Sequence, residues 1–179
     1  MTSDIGLVLT SVAYRETSRI ATIFFRHSGL LSLISRKGPA NLTSPLCLAE
    51  FLYTQGRGEV GTLREGRILN MHLPIRASYD AIDYASKMAR MLIRSQQPGE
   101  AAPRLFDLTC LYLAHLPENP RALYTSFILK LIKHEGVSPP LRTELHSRLQ
   151  AATSLQEIVK KSVSGHEVEE IESLCRALM

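Results

Sequence analysis

The chain has 179 residues, 45% of them hydrophobic and 21% charged, and a formal net charge of +4 at pH 7. This composition is typical of a globular protein and excludes collagen-like, disordered and disulfide-stapled classes. No run approaches the roughly 20 apolar residues of a membrane span, and the N-terminus lacks the basic stretch of a secretion signal, so we expect a cytoplasmic protein. Cys47, Cys110 and Cys175 are far apart, which favours buried, reduced thiols over disulfides or a zinc site.

The basic excess lies entirely in the first part of the chain. Residues 1–78 contain nine Lys/Arg and five Asp/Glu, whereas residues 79–179 contain twelve of each. Eight of the nine cations are Arg, which suits bidentate contacts with phosphate and stacking on bases. The asymmetry indicates nucleic acid or another polyanion, although a surplus of four charges also arises by chance.

Short apolar runs separated by turn residues occupy the first 70 positions. The runs are 6–12, 19–25, 30–34, 51–54 and 61–69. About five strands with no long helical pattern predict a small closed or half-closed β-barrel.

After Pro74 the apolar period changes to that of helices. Apolar positions 81, 85, 88 and 92 predict the first helix, and later helices are predicted over 105–116, 122–134, 141–149, 154–163 and 168–178. Pro117, Gly136 and Pro139 end two of them, and Ser154 with Glu157 forms a capping-box pattern. The fold class is therefore α+β, with a barrel domain over 1–78 and a helical domain over 79–179.

The motifs that resemble catalytic signatures are incomplete. Residues 56–61 match GxGxxG, but a strand with a bulge follows rather than a helix, so the segment is predicted to be a glycine-rich hairpin turn. His134-Glu135 begins like HExxH, but Ser138 occupies the position of the second His. There is no G-x-S-x-G elbow. We therefore expect no enzyme activity, no cofactor and no metal.

The basic residues of the first part are the candidate nucleic-acid contacts, because loops on neighbouring rims of a small barrel can form one basic groove. Solvated loop charges are the alternative for each of them. Phe24 and Phe25 alternate, so one could stack on bases, although packing in the core is the favoured use. The candidates are Arg15, Arg19, Arg36, Lys37, Arg57, Arg64 and Arg67.

The order of several motifs resembles that of the RecO family of bacterial recombination mediators. The similar segments are 6–9 (GLVL), 14–18 (YRETS), 27–30 (HSGL), 35–38 (SRKG), 56–63 (GRGEVGTL), and 127–139, which contains FILKL and EGV before Pro139. No single motif is diagnostic, but their order and spacing over residues 1–141 are together fairly specific.

The resemblance implies an N-terminal OB-fold followed by a helical domain. It also implies binding of single- and double-stranded DNA, annealing of complementary strands, and loading of the recombinase RecA together with RecR. A further implied partner is the acidic, apolar C-terminal tail of the single-stranded DNA-binding protein. Arg121, Lys130 and Lys133 are the cations we assign to that tail.

The chain departs from the family pattern at three places. The four-cysteine zinc module that follows the Gly-x-x-Pro segment in many members is absent after Pro139, which indicates a compact member without zinc. Residues 39–45 carry no Lys or Arg, although the corresponding loop is often basic. Thr125 stands where the family often has Arg, two positions before Phe127.

Three other functions remain open at this stage. Because the 39–45 loop carries no Lys or Arg, the first is an interaction scaffold. In such a scaffold the barrel is vestigial as a DNA-binding domain, and the helices bind protein partners. An OB-fold protein that acts on RNA is the second. An unrecognised hydrolase ranks last, because no nucleophile and base pair supports it.

Overall fold

The predicted strand region folds into five β-strands. The computed structural model describes residues 1–36, 41–56, 58–137 and 143–178. The strands are β1 (Thr2–Tyr14), β2 (Ser18–Phe25), β3 (Gly29–Arg36), β4 (Leu48–Thr54) and β5 (Val60–Asn70). Each contains one of the predicted apolar runs, so the five-strand prediction is confirmed.

The strands close into a barrel in the order β1-β2-β3-β5-β4, with β4 pairing back onto β1. The β3–β5 pair is parallel and the other pairs are antiparallel. Closure satisfies the ladder hydrogen bonds that an open sheet leaves at its edges. The protein is therefore an OB-like barrel followed by helices, as the sequence predicted.

Alternate residues of each strand fill the barrel. Phe25 is the centre of this core, because its ring lies 5.7 Å from that of Phe51 and 4.8 Å from that of Tyr53. The predicted bulge in β5 is also present: Tyr53 pairs with Leu63, but the preceding residue of β4 pairs with Glu65, which leaves Arg64 unpaired between them.

The outward-facing Phe24 is also fully buried. Phe106 covers it with the ring centroids 5.7 Å apart. The covering segment is anchored where Gly99 donates its N–H to the Leu30 carbonyl at 3.0 Å. Both phenylalanines are thus used in packing, which was the favoured use, and neither is a surface for stacking bases.

Helices form the rest of the chain. They are α1 (Leu73–Arg76), α2 (Tyr79–Ser95), α3 (Pro103–His115), α4 (Pro120–His134), α5 (Glu144–Ala151), α6 (Leu155–Val159) and α7 (Gly165–Leu178). The short α1 was not predicted, and Leu141 of the predicted fourth helix lies outside the described residues. The other predicted helices are confirmed, although α6 ends before Val163.

Helix α4 is the centre of the helical part and contacts α2, α5, α6 and α7. Ten of its fifteen residues are buried, which is why its sequence is apolar on all sides. It ends at Gly136, whose φ of 77° is the left-handed conformation that favours glycine. There the Gly136 N–H donates to the Lys133 carbonyl and the Val137 N–H to that of Ile132.

The predicted capping box at Ser154 and Glu157 is wrong. Ser154 precedes α6, but its side chain makes no capping hydrogen bond. The reciprocal arrangement occurs before α7, where Ser164 Oγ accepts from the Glu167 N–H and the Glu167 carboxylate accepts from the Ser164 N–H at 2.7 Å. Sequence spacing identifies both pairs equally, so only the backbone geometry decides between them.

The residues group into two compact units. The barrel unit contains residues 1–73 and 96–107, and the helical unit contains residues 74–95 and 108–179. These are units of packing, so the predicted domain boundary at residue 78 stays a prediction. Among the described residues, no helix is long and apolar enough to span a membrane.

Candidate nucleic-acid interface

Three of the predicted basic residues lie at one end of the barrel. Tyr14 pairs with Ser18 of β2, and Ser18 pairs with Arg36 of β3. Arg15 follows Tyr14, and Arg19 follows Ser18. Because neighbouring strands are about 4.8 Å apart, the backbones of these residues lie within roughly 10 Å of one another. We call Tyr14, Arg15, Arg19 and Arg36 the basic end of the barrel.

Arg15 occupies the turn between β1 and β2 with a φ of 57°. This left-handed conformation is uncommon for a residue other than glycine and is found in turns and at functional sites. The guanidinium carbon lies 5.2 Å from the centre of the Tyr14 ring, within cation–π range. Tyr14 thus presents a ring 40% exposed, with a cation held against it.

Arg19 and Arg36 emerge at the same end with different partners. Arg19 follows the inward alternation of β2 but is exposed, and its Nε donates to Ser11 Oγ at 3.0 Å. Arg36 is exposed at the last position of β3 and makes no side-chain ion pair with the residues that the structure describes. No carboxylate of the described residues therefore neutralises either guanidinium, which leaves both positive charges available to an anion.

An apolar row lies beside the basic end. Val12 pairs with Ile20, which pairs with Ile34 on β3, and all three follow the outward alternation. Val12 is 56% exposed and the other two are half-buried. This combination of a ring, cations and apolar side chains resembles the surfaces that hold single-stranded nucleic acid by stacking and charge. Sequence reasoning named the cations but not this row.

Of the four remaining predicted contacts, the structure describes Arg64 and Arg67. Arg67 faces outward on β5 and forms an ion pair with Glu50 of β4 at 3.0 Å. Glu50 pairs with Ile5, nine positions before Tyr14 on β1, which is about 30 Å along the strand. Arg67 therefore lies apart from the basic end, and the exposed Arg64 lies at the β5 bulge near it. Lys37 and Arg57 lie outside the described residues.

The cations assigned to a protein tail do not form one cluster. Lys130 and Lys133 lie on one side of α4, whereas Arg121 is nine residues from Lys130, half a turn away around the axis. Lys130 Nζ donates to the Ala152 carbonyl at 2.7 Å, and burial, with the nearby Lys133 charge, lowers the pKa of Lys130. Thr125 is fully buried and donates to the Arg121 carbonyl.

An apolar cavity in the helical unit was missed by the sequence reasoning. It measures about 480 Å³, and its apolar part includes Leu149 and Ile158. Arg148, Lys160, Lys161 and Glu157 also line it. Because α5 and α6 are separate helices whose packing brings these residues together, no local sequence signal identifies this cavity.

The described cysteines and histidines do not form a metal centre: no group of three or more His, Cys, Asp or Glu side chains there could hold an ion. Cys47 and Cys175 are buried, and Cys110 is half-buried. Burial raises the pKa of Cys175 to about 12, so this thiol is protonated at neutral pH.

These features define a class of protein: an OB-like barrel with an exposed basic end, followed by a helical unit with a partly apolar cavity that cations also line. Two family models match it in this order, "Recombination protein O N terminal" over residues 1–72 and "Recombination protein O C terminal" over residues 76–171. The chain belongs to the RecO family.

Curated relatives agree with this assignment. The chain is 28% identical over 145 residues to the DNA repair protein RecO of Syntrophomonas wolfei, covering 76% of this chain and 57% of that protein. It is 29% identical over 140 residues to RecO of Chlamydia trachomatis serovar L2, covering 73% and 57%. For RecO of Bacillus pumilus the identity is 28% over 149 residues, covering 79% and 58%. The chain thus spans a little under three fifths of the length of these relatives.

Proposed function

We propose that this chain is a DNA repair and recombination accessory protein that binds single- and double-stranded DNA without reading its sequence. The basic end of the barrel holds backbone phosphates, and Tyr14 offers a ring on which a base can stack. No covalent bond is made or broken. As a member of the RecO family, the protein promotes strand annealing and loads the recombinase together with RecR.

The observation that carries this proposal is that Arg15, Arg19 and Arg36 lie at one end of the barrel, where Arg15 also rests against the exposed ring of Tyr14. Strand register brings Arg36 of β3 to the end of the barrel where the β1–β2 hairpin carries Arg15 and Arg19. None of the three forms an ion pair with a described carboxylate, in contrast to Arg67. Cations that no carboxylate neutralises can replace the counterions of the phosphate backbone and release them.

The test is fluorescence anisotropy of labelled single- and double-stranded DNA, titrated with salt, on the full chain and on Arg15→Ala/Arg19→Ala/Arg36→Ala. We expect the triple variant to bind more weakly to all sequences. Its log–log salt slope should fall by up to about 3, roughly one for each lost phosphate contact. Tyr14→Leu should weaken single-stranded more than double-stranded binding, because only unpaired bases expose their faces.

Arg67→Ala is the matched control, since it removes an exposed β-barrel arginine that Glu50 already neutralises. A loss per removed charge equal to that of the triple variant would show that overall charge, not the basic end, determines binding. Unchanged affinity in the triple variant would exclude the basic end as the DNA site. A marked preference for RNA of equal length would favour the RNA-binding alternative.

We also infer that the apolar cavity between α5 and α6 receives the acidic, apolar tail of the single-stranded DNA-binding protein. Leu149 and Ile158 offer apolar contacts, and Lys160 and Lys161 supply positive charge for the carboxylates of the tail. Arg148 and Glu157 also line the cavity, and Arg148 forms an ion pair with Glu144. Lys130 supports the site indirectly, because it holds the Ala152 carbonyl at the end of α5.

An acidic peptide with an apolar end, titrated into the full chain, tests this inference. Lys160→Ala/Lys161→Ala should weaken peptide binding about tenfold, whereas Arg121→Ala/Lys133→Ala, which removes the same charge from α4, should not. The reverse pattern would transfer the tail site to α4, where the sequence first suggested it.

A further inference from the structure

A second basic site lies within the helical unit, in a cleft between α2 and α7. The cleft measures about 250 Å³. Its lining residues are Lys87, Arg90, Met91, Arg94, Tyr124, Glu172 and Arg176. Arg90 and Arg94 are four residues apart on α2 and therefore share one side of that helix. Arg176 approaches from the last turn of α7.

The acidic residue in the cleft is already neutralised. Lys87 Nζ lies 3.3 Å from a carboxylate oxygen of Glu172 and 3.3 Å from one of Asp83. Lys87 and Glu172 thus compensate each other, with Asp83 completing the network at the edge. Three arginines remain, and none of them forms an ion pair with a carboxylate of the described residues. The Arg176 Nε donates to a backbone carbonyl, that of Glu172.

The floor of the cleft is rigid and partly apolar. Tyr124 is almost fully buried and its ring packs against that of Tyr84, with the centroids 5.2 Å apart. Burial, followed by the charge of Glu172, raises the pKa of Tyr124, so its hydroxyl stays a proton donor at neutral pH. Met91 is also buried. Arg90, Arg94 and Arg176 are themselves exposed, so an anion can reach them from solvent.

Cations in the last turn of a helix also favour its dipole, which would explain Arg94 and Arg176 without any ligand. It does not explain Arg90, which lies in the middle of α2 beside the same cleft. Three arginines line one cleft without an ion pair to any carboxylate of the described residues, so their charges repel one another. A bound anion would remove that repulsion.

We propose that this cleft is a second phosphate-binding site, which takes phosphate groups through Arg90, Arg94 and Arg176. The planar guanidinium groups suit bidentate contacts with phosphate oxygens. The phosphate comes from a nucleic-acid backbone or from a free phosphate-bearing molecule. If the source is DNA, the inference rests on the proposed function and gives the chain contacts in each of its two units.

The test uses Arg90→Ala/Arg94→Ala in the full chain, with Arg121→Ala/Lys133→Ala as the control of equal charge loss on α4. In one arm, the arginine Nε–H resonances are followed by NMR during titration with inorganic phosphate. In the other, anisotropy of a labelled single-stranded DNA oligomer is followed against salt. For a DNA source we expect affinity to fall about tenfold and the slope to fall by about 2 in the cleft variant alone.

The outcomes separate this site from the basic end of the barrel. Loss of phosphate-induced shifts with unchanged DNA binding supports the site and assigns it to free phosphate. Loss of DNA affinity in both the cleft variant and the Arg15/Arg19/Arg36 variant supports two sites. A cleft variant that matches the control in both arms overturns the inference, whatever the barrel variant does. Circular dichroism of each variant verifies that its helices are retained.

Discussion

The barrel and the helical unit obtain their cores in different ways. The barrel takes alternate residues from five strands, so no strand supplies most of its interior. The helical unit is organised around α4, which is buried over most of its surface and contacts four other helices. The difference predicts that damage at one position of α4 affects the whole unit.

The two parts of the chain also differ in net charge. The first 78 residues hold the entire basic excess, whereas residues 79–179 are neutral in sum. Yet four of the seven residues that line the α2–α7 cleft are cations, against one carboxylate. A neutral sum over a segment therefore does not exclude a strongly basic site, because folding separates the charges that the sum combines.

The largest expected effect is at the centre of α4. Phe127 is fully buried, with its ring 5.8 Å from that of Tyr112. Phe127→Ala should lower the free energy of unfolding by about 3–5 kcal/mol, because it leaves a cavity that rigid neighbours do not fill. Urea unfolding followed by circular dichroism measures this. Phe127→Leu, which retains most of the apolar volume, should lose less, and a loss below about 1 kcal/mol in Phe127→Ala would contradict the central role of α4.

A smaller effect is expected where the barrel meets the segment 96–107. Gly29 has a φ of 68°, and a Cβ there would lie 2.2 Å from the Glu100 carbonyl oxygen. Backbone cannot move aside as a flexible side chain can. Gly29→Ala should therefore cost about 2–4 kcal/mol, the sum of overpacking and left-handed strain.

Alanine variants of two other glycines separate the cost of overpacking from the cost of the left-handed conformation. Gly99 in the barrel unit and Gly136 in the helical unit also have positive φ values, but a Cβ at either would meet nothing within 4 Å. Their alanine variants should cost about 1–2 kcal/mol from conformation alone. If Gly29→Ala lowers the free energy of unfolding no more than Gly99→Ala does, the close approach of Glu100 adds no cost to a side chain at position 29.

The sequence predicted the elements well because their signals are local. Alternation in β2 and the 3.6-residue period in α2 each reflect one face of one element. Contacts between distant segments leave no such signal. Phe106 covers Phe24 from 82 residues away, and the buried carboxylate of Asp4 accepts from Ser28 Oγ, which in turn accepts from the Tyr53 hydroxyl.

The candidate sites also depend on contacts between distant segments. The sequence named Arg15 and Arg19 because they flank one predicted turn, and Arg36 because it ends a predicted strand. Only the register shows that Arg36 shares the end of the barrel with the other two. Arg67 has the same local signal and lies elsewhere, paired with Glu50. The cleft was missed because Arg176 joins Arg90 and Arg94 only through the packing of α7.

The smallest expected effect concerns the N-terminal cap of α7 in the helical unit. The Ser164 N–H and hydroxyl donate to the Glu167 carboxylate, and these hydrogen bonds lower the pKa of Glu167. Glu167→Gln should reduce stability by about 0.3–1 kcal/mol at pH 7, since it removes a negative charge from the first turn of a helix. Thermal unfolding of both proteins measures the difference.

The sign of the pH dependence distinguishes this cap from a general charge effect. Because the folded pKa of Glu167 lies below the unfolded value, its stabilisation is complete above the unfolded pKa and is lost as the pH falls through the folded one. The difference between wild type and Glu167→Gln should therefore disappear in acid. Glu157→Gln is the control, because the Ser154 side chain forms no cap there. Equal effects of the two variants at neutral pH would mean that the helix dipole, rather than the Ser164 hydrogen bonds, accounts for the stabilisation.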